Sequence, residues 1–292
     1  MADTAGNPWT ARTPFADPRI GAFFAAQREA RGWSGAQVAA ELKWSPSKVC
    51  RIEGARTSVT ARNLDLLIAL YGVGEPAATT LRGLLTAGAA RRFAASKAVV
   101  SGDDETDLLA GGDLAAVVRE WAPQYVPRLL QTPAYAQAIA NSRQQVIPTS
   151  PATARAQAAA AARWQARLTG DAPCQLRAVL DESVLYRAVG GKHLMAAQLE
   201  HLAAPGGGDV EVRVLPFTCY APSAPGAFTH LSYPELPGLT ACPDLVLLEN
   251  LDGLYRPDLS ENEVWKRALM FGSLWELAEP AGGPVARALA AP

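Results

Sequence analysis

From residue 19 onward, apolar positions recur every three or four residues. In RIGAFFAAQREAR, Ile20, Phe23, Phe24 and Gln27 fall on successive turns, and Gly32 ends the helix they predict. Ser34 stands where it caps a second helix reaching about Leu42, with Val38, Ala39 and Leu42 at helical spacing. Lys43 and Trp44 make a short turn. Ser45 caps a third helix, and Pro46 sits at its first position, where a missing N–H costs nothing. Val49 and Ile52 face inward and Gly54 stops the helix. A fourth helix is predicted over Ala61–Tyr71 from Leu64, Leu67, Ile68 and Leu70, and a fifth over about Pro76–Ala90.

Residues 91–112 lose this rhythm. A basic pair, the run SGDDETD and a double glycine read as a linker. Beyond it, helices are predicted at 113–121, 132–141 and 151–169. A strand is predicted over Cys174–Leu180 with a short helix after it, and HLMAAQLEHLAA reads as an amphipathic helix. VEVRVLPF alternates apolar and polar residues, the period of a strand, and FTHLSYPE and PDLVLLEN read as two more. ENEVWKRALMFGSLWELA is a final helix with Val264, Ala268, Phe271, Leu274 and Trp275 on one side. The predicted fold class is a mainly α N-terminal bundle plus an α+β C-terminal domain with four strands. Its divisions are a disordered arm at 1–18, a helical domain at 19–90, a linker at 91–112, the α+β domain at 113–280 and a tail at 281–292. There is no internal repeat.

Composition narrows the class of molecule. Hydrophobic residues make up 49% of the 292-residue chain, enough for two cores. No apolar run approaches the roughly 18–20 residues that span a bilayer. MADTAGNPWTARTPFADP lacks the basic start and apolar core of a secretory signal, so a cytoplasmic, nucleoid-associated protein is expected. Cys50, Cys174, Cys219 and Cys242 form no CxxC pair, which argues against a zinc ribbon or a disulfide framework and for free thiols. The net charge is −1 but unevenly spread. Residues 19–62 carry Arg19, Arg28, Arg31, Lys43, Lys48, Arg51, Arg56 and Arg62 against Glu29, Glu41 and Glu53, a local +5 on an acidic remainder. A basic block of that size fits a nucleic-acid contact or an ordinary solvated surface, and charge alone does not decide between them.

WSGAQVAAELKWSPSKVCRIEGAR resembles the helix-turn-helix of the XRE family, also called Cro/C1-like. Ser34, Val38, Ala39, Leu42, Ser45-Pro46-Ser47, Val49, Arg51-Ile52-Glu53 and Arg56 carry the resemblance, which extends over residues 19–73. The physics agrees with it. Two helices crossing steeply need a small residue where they meet, and Ala39 supplies it. The second helix of such a pair meets base edges with its N-terminal part. Ser45, Ser47 and Lys48 lie there, and Arg51 follows one turn after Lys48. Arginine pairs bidentately with guanine, whereas lysine more often neutralises phosphate. Ser47, Lys48 and Arg51 are therefore the expected base or backbone contacts, with Gln37 and Arg56 on phosphate. The resemblance implies that Glu53 braces the fold against a basic residue of the first helix, here Arg28. Two residues depart from the family. Gly35 stands where Gln is common, and Lys43 stands in a turn that usually has Gly, where it adds a phosphate contact or shifts the docking.

REWAPQYVPRLLQTPAYAQAI, LDESVLYRAVGG, MAAQLEHL, VEVRVLPF, GAFTHLSY and LVLLEN resemble the C-terminal domain of actinobacterial WhiJ-like regulators, over roughly 113–280. Arg128 departs from that family's VPGLLQT motif. The resemblance implies a transcriptional regulator of development or specialised metabolism, with an antitoxin-like partnership to a small protein in some members. On the residues alone, Trp121, Tyr125, Tyr135, Trp164, Tyr186 and Trp275 are either core or the lining of a partner groove, with core favoured. Enzyme candidates are Asp181, Glu182, His193, His201, His230, Asp244, Glu249 and Asp252. The two histidines at 193 and 201 miss zinc spacing, and GxSxG, GxxxxGK[ST] and a strand-linked GxGxxG are all missing. The expectation is a non-enzymatic homodimer without cofactor or metal. It binds a pseudo-palindromic double-stranded operator and is controlled by a small protein or a small-molecule effector. An antitoxin-like protein with autoregulatory DNA binding and a DNA-tethered enzyme are the alternatives.

Overall fold

The computed structural model describes residues 17–55, 57–86, 115–146, 148, 150–170, 173–204, 208–219, 226–234, 236, 238, 244–250, 253–255 and 259–291. The expected linker, most of the arm, Arg56, Cys242 and Asp252 lie outside the described residues. The chain divides into two compact units, Met1–Asp107 with Glu235–Cys242, and Leu108–Pro234 with Pro243–Pro292.

The first unit is helical, with α1 (Pro18–Ala30), α2 (Gly35–Leu42), α3 (Pro46–Glu53), α4 (Ala61–Tyr71) and α5 (77–86). Each start has the chemistry its sequence suggests. Asp17, Ser34, Ser45 and Thr60 all cap with a side-chain oxygen, and Ser34 and Gln37 form a reciprocal capping box. Phe23, Phe24, Val38, Ala39, Val49, Ile52, Leu64, Leu67 and Leu81 pack into one core. Gly21 sets the closeness of α1 to α3. A Cβ there would lie 2.5 Å from the Glu53 carbonyl oxygen and 2.7 Å from that of Ile52, so only glycine fits.

The second unit is α+β, as expected, but among the described residues its sheet has seven strands rather than four. They are β1 (Val117–Ala122), β2 (Gln175–Asp181), β3 (Val210–Leu215), β4 (Phe228–Ser232), β5 (Leu245–Asn250), β6 (Gly253–Tyr255) and β7 (Glu279–Pro280). Their order is β6-β5-β4-β1-β2-β3-β7. The central strands β1, β2 and β3 are parallel, and β4, β5, β6 and β7 add antiparallel. Helices α6 (Pro133–Val146), α7 (Pro151–Ala166), α8 (Lys192–Ala203), α9 (Glu261–Leu277) and α10 (Gly282–Ala290) complete the unit. One sheet face packs Val118, Leu176, Leu180, Val214, Leu231 and Leu247 under Tyr135, Trp164, Met195, Leu199 and Val285. The other packs Trp121, Val179, Leu215, Phe228 and Val246 under Phe271, Leu274 and Trp275 of α9.

Two expectations are corrected. The helix expected at 113–121 gives way, in its described part, to strand β1, which occupies Val117–Ala122 at the centre of the sheet. Its Val118 enters one core and its Trp121 the other, while the polar Arg119 and Glu120 are adjacent, so the alternation that marks a half-buried strand is lost. The segment expected as a tail at 281–292 contains a helix in its described part. α10 buries Ala281, Val285 and Ala288 at helical spacing, and Val285 is 0% exposed, packed in the same core as α8. Among the described residues no helix is long and apolar enough to cross a membrane.

Candidate nucleic-acid interface

α2 and α3 are joined by the three residues Lys43, Trp44 and Ser45, of which Lys43 takes the left-handed conformation, φ 55° and ψ 43°. Glycine adopts this backbone freely and lysine does so at a cost, so the turn expected from its Gly-like position forms under strain. Trp44 follows, half-buried against the helical core. The Ser45 side chain accepts from the Lys48 backbone N–H at 3.3 Å and lies 3.1 Å from the Ser47 hydroxyl. Lys48 is held rather than loose, with its Nζ 3.7 Å from the centroid of the Trp44 ring. This cation–π contact fixes the charge near the start of α3, and partial burial lowers the lysine's pKa.

Most of the sequence-predicted contacts are accessible to solvent on α2, on the turn and on α3. Gln37, Lys43, Ser45, Ser47 and Arg51 are exposed and Lys48 is half-exposed, while Val49 and Ile52 point into the core. Gln37 is less available than expected. Its Oε1 accepts from the Ser34 N–H at 2.7 Å and from the Ser34 hydroxyl at 3.0 Å, leaving its amide NH2 as the outward donor. Arg56 lies outside the described residues. The brace implied for Glu53 is present. Arg28 Nε donates to Glu53 Oε1 at 2.9 Å and Oε2 at 3.0 Å, and Arg28 Nη1 donates to the Trp33 carbonyl at 3.1 Å. The hydrogen bond that Arg28 donates to Glu53 is the main reason the Arg28 pKa is raised. The sequence reading missed two residues. Trp44 positions Lys48, and the i, i+4 spacing of the pair was the available signal. Cys50 is exposed on α3, one turn after Ser47 and beside Arg51.

In the second unit the enzyme candidates are dispersed. His193 and His201 are exposed on α8. Asp181 caps the turn after β2 through Ser183, and Glu182 accepts from the Phe217 N–H at 2.7 Å. His230 is buried, with Nδ1 3.4 Å from Arg119 Nη1 and Nε2 3.3 Å from Asp244, and burial lowers its pKa. Among the described residues no three His, Cys, Asp or Glu side chains gather as metal ligands. Trp121, Tyr135, Trp164 and Trp275 are buried in the cores, whereas Tyr186 is exposed and stacked with Phe217.

Glu249 sits in a compact ionic cluster on the opposite face of the sheet from His230. Arg128 Nη2 donates to its Oε1 at 2.6 Å, Arg143 donates to the same oxygen, and Arg143 also reaches the Tyr125 hydroxyl at 3.3 Å. Burial alone would raise the Glu249 pKa, but the two guanidinium groups outweigh it and hold the group ionised below its ordinary value. Arg128, the departure noted in the VPRLLQT segment, is therefore an ion-pair partner. Three glutamines clamp that segment. Gln165 donates to the Arg128 and Gln131 carbonyls, Gln131 to the Val126 carbonyl, and Gln198 links the Leu130 carbonyl to the Thr132 N–H.

Residues 19–81 match a helix-turn-helix domain, the segment that holds the exposed α2–α3 surface. Residues 106–282 match a domain of unknown function, DUF5753. The chain belongs to the DUF5753 family. The matched DUF5753 region spans the whole seven-stranded sheet and the clamped VPRLLQT segment, and it ends at the first residue of α10. No curated protein and no solved structure matches the chain.

Proposed function

We propose that this protein is a sequence-specific DNA-binding transcriptional regulator that reads a pseudo-palindromic operator as a homodimer. The observation that carries the reading is the α2–α3 surface. Ser47 and Arg51 stand exposed on the second helix of a helix-turn-helix, with Lys48 pinned over Trp44 between them. In such a dimer two recognition helices enter successive major grooves roughly 34–36 Å apart. The DUF5753 unit then serves as the regulatory and dimerising part, not as an enzyme, and receives a small protein or a small molecule. The WhiJ-like resemblance favours a role in development or specialised metabolism of an actinobacterium, and a cytoplasmic location at the nucleoid fits that role.

The test is a fluorescence titration against an operator recovered by selection from random DNA. Arg51→Ala is expected to weaken binding by about 1–3 kcal/mol and to relax preference at one base position. Lys48→Ala is expected to weaken all sequences alike and to lower the salt dependence by about one ion. Equal binding by the double variant and the parent protein would overturn the reading.

A further inference from the structure

The chain confines its surplus positive charge to two stretches. One is the helix-turn-helix segment at 19–62. The other runs from residue 121 to residue 170 and holds Arg128, Arg143, Arg155, Arg163 and Arg167 without a single Asp or Glu. Everything outside the two stretches carries 14 basic against 25 acidic side chains. In the second stretch the fold itself occupies three of the five arginines. Arg128 and Arg143 meet Glu249, and Arg167 donates to the Ala115 carbonyl at 3.4 Å. The other two, Arg155 and Arg163, both lie on α7 and meet no carboxylate among the described residues.

These two arginines face outward. Arg155 precedes the buried Trp164 by about two and a half turns, which puts it on the opposite side of α7. It is exposed, as are Pro151, Ala158, Ala162 and Ala166 around it, and Arg163 is half-buried on the flank of that face. About 12 Å of helix axis separates the two guanidinium-bearing positions, so each can meet a phosphate of its own. A face that only meets water mixes both signs, with acidic and basic residues three or four apart. α7 has no acid in its 16 residues and forgoes such pairs. Nor has it the make-up of a protein-binding face, which centres on aromatic and long apolar side chains. Trp164 is the one large apolar residue of α7, and it is 1% exposed. Unpaired cations among small side chains suit a phosphate backbone, which asks for charge and close approach.

We propose that the outer face of α7 is a second DNA contact, in which Arg155 and Arg163 neutralise phosphates without reading bases. The proposal rests on the DNA-binding reading of the protein and adds a sequence-independent part carried by the DUF5753 unit.

The test is a titration of the full-length protein with a long DNA duplex of arbitrary sequence, repeated over a range of salt concentrations. Arg155→Gln combined with Arg163→Gln is expected to weaken binding about tenfold or more near physiological salt. It should also lower the slope of log affinity against log salt by about two. Arg155→Lys with Arg163→Lys should keep the parent slope, because lysine neutralises phosphate as well. On a selected operator the glutamine variant should keep the parent's order of preference among single-base changes, whereas Arg51→Ala alters it, so the two readings fail separately. Should Arg163→Gln disturb the fold by circular dichroism, Arg155→Gln alone should lower the slope by about one. Parental affinity and slope in the glutamine variants would overturn the proposal. Parental DNA binding together with lost binding to poly-L-glutamate would assign the face to an acidic protein and overturn it equally.

Discussion

Single residues divide by how local their partners are. Ser34, Ser45 and Thr60 act on backbone N–H groups three residues away, so their capping is legible in the sequence. The Arg28–Glu53 brace spans 25 residues and was reached only through a family resemblance. Glu120 had no signal at all. It is a lone acid in a strand misread as a helix, and its unusual state comes first from burial in the folded sheet and then from the charge of Glu249, more than a hundred positions away. That state has a consequence for stability. The folded protein holds the Glu120 proton to about pH 8, against an ordinary value of 4.5. An acid whose folded pKa is raised contributes stability that is full below its unfolded pKa and is lost as pH rises through the folded one. The parent protein should therefore lose stability as pH climbs from about 4.5 to about 8. Glu120→Gln should flatten that decline in denaturant titrations across this range. An unchanged slope would mean that Glu120 is ionised in the fold. Glu249 acts in the opposite sense, because its lowered pKa makes its contribution vanish as pH falls through the folded value.

At the scale of elements, the helical unit was legible because each helix has one buried face, a cap and a stop within its own sequence. In the second unit, the four strands read from the sequence are present as β2, β3, β4 and β5, and those missed have physical reasons. β6 and β7 are too short to show a period. β1 hid because Leu114, Val118 and Trp121 also fall at helical spacing, and its two polar residues, Arg119 and Glu120, are adjacent, so no polar–apolar alternation marks a strand. α10 hid behind a Gly-Gly-Pro start that reads as a loop. It nonetheless packs into the same core as α8. A chain ending at Pro280 should lose the burial of Ala281, Val285 and Ala288 and expose the α8 side of the core. Val285→Asp places an unpaired charge there and should cost several kcal/mol, about 3 or more. Thermal unfolding of the variant checks this, and a melting temperature within a degree or two of the parent would show that α10 is dispensable. In the helical unit, Gly21→Ala should likewise push α1 from α3, at a cost of about 1–3 kcal/mol for overpacking against backbone that has no room to yield.

At the scale of the whole molecule, a +5 block was legible against an acidic remainder, but nothing local in the sequence says which surface joins two copies. The outer face of α9 has the features of such a surface. Trp265 is 57%, Leu269 52% and Leu277 44% exposed, with Gly272 open to solvent between them, opposite the Phe271 and Leu274 face that covers the sheet. An antiparallel pairing of two α9 helices centred near Phe271 brings Lys266 of one copy level with Glu276 of the other, so the face complements itself in charge as well as apolarity. One helix pair falls short of the roughly 1,200–2,000 Å² of a stable interface, so in the proposed homodimer such a contact would act mainly by linking two heads already on one operator. Leu269→Glu should then leave binding to an isolated half-site unchanged and weaken binding to the full two-half operator about tenfold or more. Circular dichroism confirms that the variant keeps its fold, since Leu269 supports no core. If the variant binds the full operator as tightly as the parent, the two copies meet through another face.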